Sequence, residues 1–262
     1  MVRDATPMGK LLRIFDRMLD ARGADGHSGR AEMWQGGGPL KLVVFDCDGT
    51  LVDSQGMICA AMQRTYDAHG LPVPPRERVL SIVGLSLHEA FSELAGDEAH
   101  PVASMVERYK AIFAELRMAG DHPETLFPGA REAVERLAAQ SDLLLGMATG
   151  KSQRGVKAVL EPLGLYRHFH TIQTADDGPS KPHPAMVEQA MRAAGAIPAR
   201  TVVVGDTVYD VAMARAAGAT AIGVAWGYHA PAALRDAGAV AVLTDFQALH
   251  PVLERLWGTV EA

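Results

Sequence analysis

Along much of this chain, two patterns of hydrophobic and polar positions alternate with each other. Short runs that are almost entirely apolar occur at residues 42–45, 143–148, 201–205 and 219–225, and a weaker one at 169–174. Such runs are typical of strands buried on both faces of a parallel sheet. From residue 128 on, the segments between the runs carry apolar residues at intervals of three and four, as amphipathic helices do. This alternation predicts an α/β fold with a parallel sheet.

Residues 56–123 interrupt the alternation. Their apolar positions recur at helical spacing over 57–65, 79–83, 87–94 and 102–116, and no strand-like run separates them. We therefore predict an inserted unit of about four helices after the first strand. The apolar face of this unit is too large to stand free in water, so we expect it to close over the sheet domain.

Residues 1–40 differ from the rest of the chain. Apolar residues at helical spacing over 11–19 are interrupted by charged ones, which predicts a short amphipathic helix, and a glycine-rich connector follows over 23–38. A signal peptide is excluded because charges break every apolar run. The helix could dock on a membrane surface or a partner, but we favour packing on the chain's own core or an extension before the true domain start.

The first apolar run ends on two carboxylates, Asp46 and Asp48, followed by Gly49. Residues two apart at a strand end project to the same side, so both carboxyl groups can face one small volume. Two carboxylates this close repel each other, and we expect one to hold a proton or both to share a cation. A hairpin turn is the alternative, since Asp-Gly is a turn signal. A solvated turn would not need so apolar a run before it.

Other polar residues follow the later strands. Thr149 and Asp206 each end an apolar run, Asp210 falls in the first turn of the next helix, and Lys181 lies in a connecting loop. Carboxylates without ligand-spaced Cys or His suit a hard cation such as Mg²⁺. Thr149 followed by Gly150 at a helix start presents N–H groups to a phosphate, and Lys181 adds a positive charge. Together these residues indicate phosphoryl transfer through an aspartyl intermediate.

Residues 41 to about 250 resemble the haloacid dehalogenase superfamily. Its four motifs have counterparts in the same order, namely DCDGTLVDS at 46–54, Thr149, Lys181 within SKPHP at 180–184, and GDTVYD at 205–210. The helical insert is similar to that superfamily's four-helix (C1-type) cap, and phosphoglycolate phosphatases are among the most similar members. The resemblance implies a Rossmann-like phosphatase core formed by 41–55 and 124–262 and a cap formed by 56–123.

The resemblance also implies roles for individual residues. Asp46 would attack phosphorus and become the aspartyl phosphate, and Asp48 would protonate the leaving oxygen and then activate water. Thr149, Gly150 and Lys181 would bind the transferring phosphoryl group. Haloacid dehalogenases themselves use no Mg²⁺ and lack an acid at the position of Asp48, so this chain looks like a phosphatase or a mutase.

The resemblance places Mg²⁺ at the same strand ends. The ion would be held by Asp46, the Asp48 carbonyl and Asp206. Asp210 would support these ligands without contacting the ion, or would reach the ion through a water molecule. The hinges of the cap should lie near Ser54–Gln55 and His122–Glu124.

The composition of the chain limits the classes of partner that we expect the protein to bind. Net charge is −6 without any Lys/Arg run, so no nucleic-acid surface is expected, and no apolar stretch reaches membrane length. Cys47 and Cys59 form no disulfide framework, which indicates reduced thiols in a cytoplasmic protein. We expect a small phosphorylated metabolite as the partner, and the oligomeric state stays open.

Three functions fit these observations. The first is a Mg²⁺-dependent phosphatase of a small phosphorylated metabolite, with phosphoglycolate as the leading candidate. The second is a sugar phosphomutase of β-phosphoglucomutase type. Many such mutases carry a basic residue shortly after the cap glycine, whereas residues 84–87 (GLSL) offer none. The third is a catalytically idle binding protein tethered by its N-terminal helix, and the presence of every catalytic residue type argues against it.

Overall fold

The computed structural model describes residues 40–258, and within them a six-stranded parallel sheet forms the centre of the molecule. The sheet strands are β1 (Lys41–Phe45), β4 (Leu143–Ala148), β5 (Phe169–Gln173), β6 (Thr201–Gly205), β7 (Thr220–Val224) and β8 (Ala241–Leu243). Their order is β5-β4-β1-β6-β7-β8, so β1 lies between β4 and β6. The predicted α/β fold with a parallel sheet core is confirmed.

The central strand is buried on both faces. Val43 and Phe45 belong to one apolar cluster, which includes Val134 of α5 (Ala130–Ala138). Leu42 and Val44 point to the opposite face and are equally inaccessible to solvent. An apolar run without polar alternation is what a strand covered on both faces requires. The hairpin alternative is therefore wrong.

Helices alternate with the strands through the second half of the chain. After α5 they are α6 (Gln153–Leu160), α7 (Ala185–Ala194), α8 (Val208–Ala216), α9 (Pro231–Asp236) and α10 (Leu249–Trp257). Each connection carries the chain from the carboxyl end of one strand back to the end of the sheet where the next strand starts, because parallel neighbours require a crossover. The carboxyl ends of β1, β4 and β6 consequently meet at one place.

Four helices occupy the predicted insert. They are α1 (Gln55–Ala68), α2 (Arg76–Leu80), α3 (Leu87–Ala95) and α4 (Val102–Ala119). Their apolar faces form a separate cluster around side chains such as Phe91, Met105 and Leu116. We keep residues 56–123 as the proposed cap and call them so below.

The two linkers of the proposed cap touch each other. Strand β2 (Val52–Asp53) pairs antiparallel with β3 (Thr125–Leu126), one on each side of the insert. Two-residue strands are too short for a periodic pattern, so the sequence did not predict this pairing.

The predicted helix over 11–19 and the connector over 23–38 lie outside the described residues. Within residues 40–258, no helix has both the length and the apolar character needed to cross a membrane.

Candidate active site

The ends of three neighbouring strands carry the first predicted site residues. Asp46 follows β1, Thr149 follows β4 and Asp206 follows β6, and all three are buried. Because β1 lies between the other two strands, these side chains lie close together, as the parallel-sheet prediction required.

We call Asp46, Asp206, Asp210 and Lys181 the core charge cluster. Carboxylate oxygens of the three aspartates all lie within 4.8 Å of one another. Lys181 Nζ donates to Asp46 Oδ2 at 2.9 Å and to Asp210 Oδ1 at 2.6 Å. The other oxygen of Asp46, Oδ1, accepts a hydrogen bond from the Cys47 N–H at 2.6 Å, so the carboxylate is held at both ends.

Burial dominates the electrostatics of this cluster. It raises the pKa of Asp46 to about 7, although the Lys181 charge acts in the opposite direction. Burial, followed by the charges of Asp210 and Asp46, raises the pKa of Asp206 well above its ordinary value. Burial alone would lower the pKa of Lys181, but the charges of Asp210 and Asp46 outweigh it and hold the pKa above the usual range. When ionised, the cluster carries three negative charges and one positive charge.

Asp206 is held by backbone that approaches it closely. Thr50 Oγ1 donates to Asp206 Oδ1 at 2.8 Å, and the Tyr228 N–H donates to Oδ2 at 2.9 Å. A Cβ atom on Gly49, whose φ is +84°, would lie 2.3 Å from Asp206, and one on Gly227 would lie 2.1 Å away. Both positions therefore require glycine.

Asp210 also begins the helix in which it lies. Its carboxylate accepts hydrogen bonds from the N–H and the hydroxyl of Thr207, in a capping box at the start of α8. Asp210 thereby joins Lys181 to the backbone that follows Asp206. Thr50 and Thr207 were not predicted, although both lie inside quoted motifs and carry hydroxyl groups.

Asp48 has its own set of partners. Its carboxylate accepts hydrogen bonds from Lys151 Nζ, at 2.8 and 3.1 Å, and from the hydroxyl of Ser54. The expectation that one of the two carboxylates holds a proton, or that both share a cation, stays a prediction, and the structure adds that each carboxylate has its own lysine.

We call Asp48, Lys151, Glu124 and Arg117 the junction charge cluster. Lys151 Nζ also donates to Glu124 Oε1 at 2.9 Å, and Arg117 Nε donates to Glu124 Oε2 at 2.9 Å. Burial alone would lower the pKa of Lys151, but the charges of Asp48 and Glu124 hold it above the usual range. Sequence reasoning missed Lys151, whose only signal was its place directly after Thr149 and Gly150.

Gly150 marks the contact between the sheet edge and the proposed cap. A Cβ atom here would lie 2.6 Å from the Leu85 carbonyl oxygen and 2.8 Å from that of Gly84. The hydroxyl of Thr149 accepts the Lys151 N–H at 3.2 Å, and Ser152 caps α6. The predicted phosphate-binding turn thus lies directly under a loop of the insert.

A cavity of about 660 Å³ opens between these groups. Asp46, Asp48, Thr149, Gly150 and Lys151 line it on one side, and residues of the proposed cap line the other. Lys181, Asp206 and Asp210 are not among the described residues that line it. The core charge cluster is therefore exposed to the cavity through Asp46.

Trp226 and His229 follow β7 and make contacts of two different kinds. Trp226 packs against Phe246, with ring centroids 4.7 Å apart. His229 connects the sheet domain to the proposed cap, because Nδ1 accepts the Val208 N–H at 3.1 Å and Nε2 lies 3.1 Å from the Ser81 carbonyl. Burial lowers the pKa of His229.

With this geometry established, comparison with known proteins identifies the family. Residues 43–224 match the family described as haloacid dehalogenase-like hydrolase. The chain belongs to this family. The resemblance stated from the four motifs is confirmed, and so is the prediction that the chain is an enzyme of this hydrolase group.

Several curated proteins are similar over most of their length. A probable phosphatase, IndB, of Dickeya dadantii is 36% identical over 220 residues, which cover 81% of this chain and 95% of that protein. A phosphoglycolate phosphatase of Chromobacterium violaceum is 36% identical, covering 72% of this chain and 86% of that protein. A pyrophosphatase, PpaX, of Bacillus mycoides is 29% identical, covering 84% and 99% respectively.

Solved structures agree on the fold. A hydrolase from Pseudomonas syringae superposes with a TM-score of 0.71 at 27% identity, covering 82% of this chain and 98% of that one. CbbY from Rhodobacter sphaeroides, in complex with phosphate, gives a TM-score of 0.67 at 25% identity, covering 80% and 96%.

Proposed function

We propose that this haloacid dehalogenase-like hydrolase is a Mg²⁺-dependent phosphatase that hydrolyses a small phosphorylated metabolite through an aspartyl phosphate. The observation that carries the proposal is the position of Asp46. It ends the central strand, faces the cavity, and lies in a buried cluster beside Lys181. Family membership and the names of the relatives support the same reaction class.

Asp46 and Asp48 divide the chemistry between them. The Asp46 carboxylate attacks phosphorus, and the bond from phosphorus to the leaving oxygen breaks as Asp48 supplies a proton to that oxygen. Asp48 then takes a proton from the water that attacks the aspartyl phosphate, which releases phosphate and restores Asp46. Asp48 lines the same cavity as Asp46, and its present partners are Lys151 and Ser54.

The residues around Asp46 bind and orient the phosphoryl group in this proposal. Thr149 and Gly150 present the turn before α6, and both line the cavity. Lys181 orients the Asp46 carboxylate through the 2.9 Å contact between its Nζ and Asp46 Oδ2. Its ammonium balances part of the negative charge that the phosphoryl group brings.

The core charge cluster fits a magnesium ion. The ion would be held by Asp46, the Asp48 carbonyl and Asp206, with Asp210 as support. Three buried carboxylates against one ammonium leave two negative charges, which a divalent cation would neutralise, and hard oxygen ligands suit Mg²⁺. When bound, Mg²⁺ would supply charge neutralisation at the phosphoryl oxygens.

Phosphoglycolate is the first substrate to test, because several relatives carry the name phosphoglycolate phosphatase. Others are named pyrophosphatase, so the relatives do not agree on one substrate. The phosphomutase alternative gains no support from the loop at 84–87, whose residues line the cavity without a basic side chain.

The test is a phosphatase screen of the full chain over phosphorylated metabolites, pyrophosphate and a hexose phosphate. We expect phosphate release that stops with excess chelator and returns with Mg²⁺, while Ca²⁺ inhibits because its coordination is looser. The Asp46→Asn variant is the matched control for contaminating phosphatase. Isomerised hexose phosphate without free phosphate would favour the mutase. Binding without turnover of any substrate, or full activity in excess chelator, would contradict the proposal.

A further inference from the structure

We infer that the preferred substrate is a phosphate monoester whose alcohol carries an extended apolar group, bound under an apolar surface of the proposed cap. This inference rests on the proposed function and names the substrate class of the same site. The surface, which we call the cap ceiling, consists of Leu85, Leu87, Val106, Phe113, Ala114 and Met118.

The ceiling is apolar and reachable from solvent. Its six side chains all line the cavity and all retain partial or full exposure. Met118 is 82% exposed, the largest value among the big apolar side chains of the described residues. Exposed apolar side chains gathered over a polar site indicate a binding surface, and methionine adapts to ligands of varied shape.

The cavity is much larger than phosphoglycolate. At about 30 Å³ per non-hydrogen atom, the share of a water molecule in the liquid, this roughly nine-atom molecule would fill about 270 Å³. The cavity measures about 660 Å³. Asp46 and the ceiling side chains line this same cavity, so a substrate whose phosphoryl group lies at Asp46 has the ceiling side chains along the rest of its cavity.

The charges near the ceiling do not favour a second anion. Lys151 is engaged by Asp48 and Glu124, and Arg117 is engaged by Glu124. Of the other cations among the described lining residues, Lys110 bonds to Glu107, and both Lys110 and Arg154 are exposed to solvent, where an ion pair contributes little. A carboxylate on the leaving alcohol would therefore meet apolar groups, cations that already have partners, or Arg154, whose exposed ion pair with it would contribute little.

The experiment uses a homologous series in which only apolar length changes. Ethyl, propyl and hexyl phosphate have leaving alcohols of nearly equal acidity, so differences in kcat/KM report binding of the chain. We expect kcat/KM to rise by at least about tenfold from ethyl to hexyl phosphate, with an upper limit near fourfold per methylene. Propyl phosphate, similar in size to phosphoglycolate, should be hydrolysed at least as efficiently.

A pair of variants tests the ceiling itself. Val106→Thr keeps the shape of the side chain but replaces a methyl group with a hydroxyl group, so the rise in kcat/KM from ethyl to hexyl phosphate should shrink about fivefold. Val102→Thr is the matched control, since Val102 lies on the same helix, is also half-buried, and does not line the cavity. The Val102→Thr variant should show the same rise in kcat/KM from ethyl to hexyl phosphate as the wild type. Thermal unfolding would show that both variants are folded.

The outcomes separate this inference from the proposed function. A flat series, or phosphoglycolate preferred tenfold over propyl phosphate, would overturn the inference while leaving the phosphatase proposal intact. If no monoester is hydrolysed, the function fails, and calorimetric binding to the Asp46→Asn variant decides the inference. Tighter binding of hexyl than of propyl phosphate would support it, and equal binding would overturn it.

Discussion

The core and junction charge clusters are built alike but supported differently. In each, a buried lysine lies between two carboxylates. Lys181 is 2.9 Å from Asp46 and 2.6 Å from Asp210, and Lys151 is 2.8 Å from Asp48 and 2.9 Å from Glu124. The core cluster draws every member from segments at one edge of the sheet. The junction cluster spans the sheet, a linker and helix α4 of the proposed cap.

The difference in support matters for function. The four members of the core cluster are buried, and Lys181 bonds to Asp46 and Asp210 without any contribution from the proposed cap, so we expect the geometry at Asp46 to be formed before substrate arrives. The junction cluster depends on Glu124 and Ser54, one in each predicted hinge region, and Ser54 Oγ lies 3.4 Å from Glu124 Oε1. Movement of the proposed cap would therefore disturb the partners of Asp48 before those of Asp46. The following predictions test this distinction.

The largest effect is expected at Asp46. Asp46→Asn keeps the shape of the side chain but removes the nucleophile, so kcat should fall by at least about 10⁴-fold for every substrate. The loss should be independent of the leaving group, and intact-mass measurement should detect no phosphorylated enzyme. Activity within tenfold of the wild type would show that Asp46 is not the nucleophile.

Asp48→Asn should give a loss that depends on the leaving group. An alkyl phosphate needs a proton on its leaving oxygen, and we expect a loss of about 10³-fold, within the range for removal of a general acid. The p-nitrophenolate group of p-nitrophenyl phosphate leaves without protonation, so the rate of the first step should fall much less for this substrate. If Asp48→Asn reduced the activity equally for the two substrates, Asp48 would not be the general acid, and its effect would not differ in kind from that of Asp46→Asn.

The two lysines should differ in their contribution to stability. Lys181→Met leaves buried carboxylates without a counter-charge and should lower the free energy of unfolding by about 3–5 kcal/mol. Lys151→Met should cost about 1–2 kcal/mol, because Glu124 keeps Arg117 and Asp48 keeps Ser54. Urea unfolding without divalent cations measures both values. A larger loss for Lys151→Met would reverse the comparison.

The smallest effect concerns His229, a neutral contact between sheet domain and proposed cap. Its folded pKa lies below the ordinary 6.5, so the unfolded chain binds the proton more readily. The stability contributed is therefore complete above pH 6.5 and is lost as pH falls towards the folded pKa. Between pH 7.5 and 5.5 the free energy of unfolding should therefore fall, by no more than the roughly 1.4 kcal/mol that one proton contributes per pH unit.

Variants at two histidines check this effect by urea unfolding at both pH values. His229→Gln should reduce the pH dependence, and His170→Gln, at an exposed position, should leave it unchanged. An unchanged pH dependence in His229→Gln would contradict the assignment.

Much of the core could be predicted from the sequence because its signals are local. Apolar runs located the strands, and parallel strands bring their carboxyl ends to one edge, so Asp46, Thr149 and Asp206 were placed together before any coordinates. The four helices of the insert followed from their periodicity in the same way. Roles assigned to these residues, and the magnesium site, stay predictions.

Other features were decided only by the tertiary structure. Lys151 and Asp48 are 103 residues apart, and Lys151 and Glu124 are 27 apart, so no local pattern pairs them. The sequence placed Asp48 beside Asp46, and only the structure shows that its carboxylate is paired with Lys151, because a partly buried carboxylate is stabilised by an opposite charge. The cap ceiling is also a tertiary feature. Helical periodicity identifies apolar side chains, but only the packing of the insert over the sheet determines which of them face the cavity.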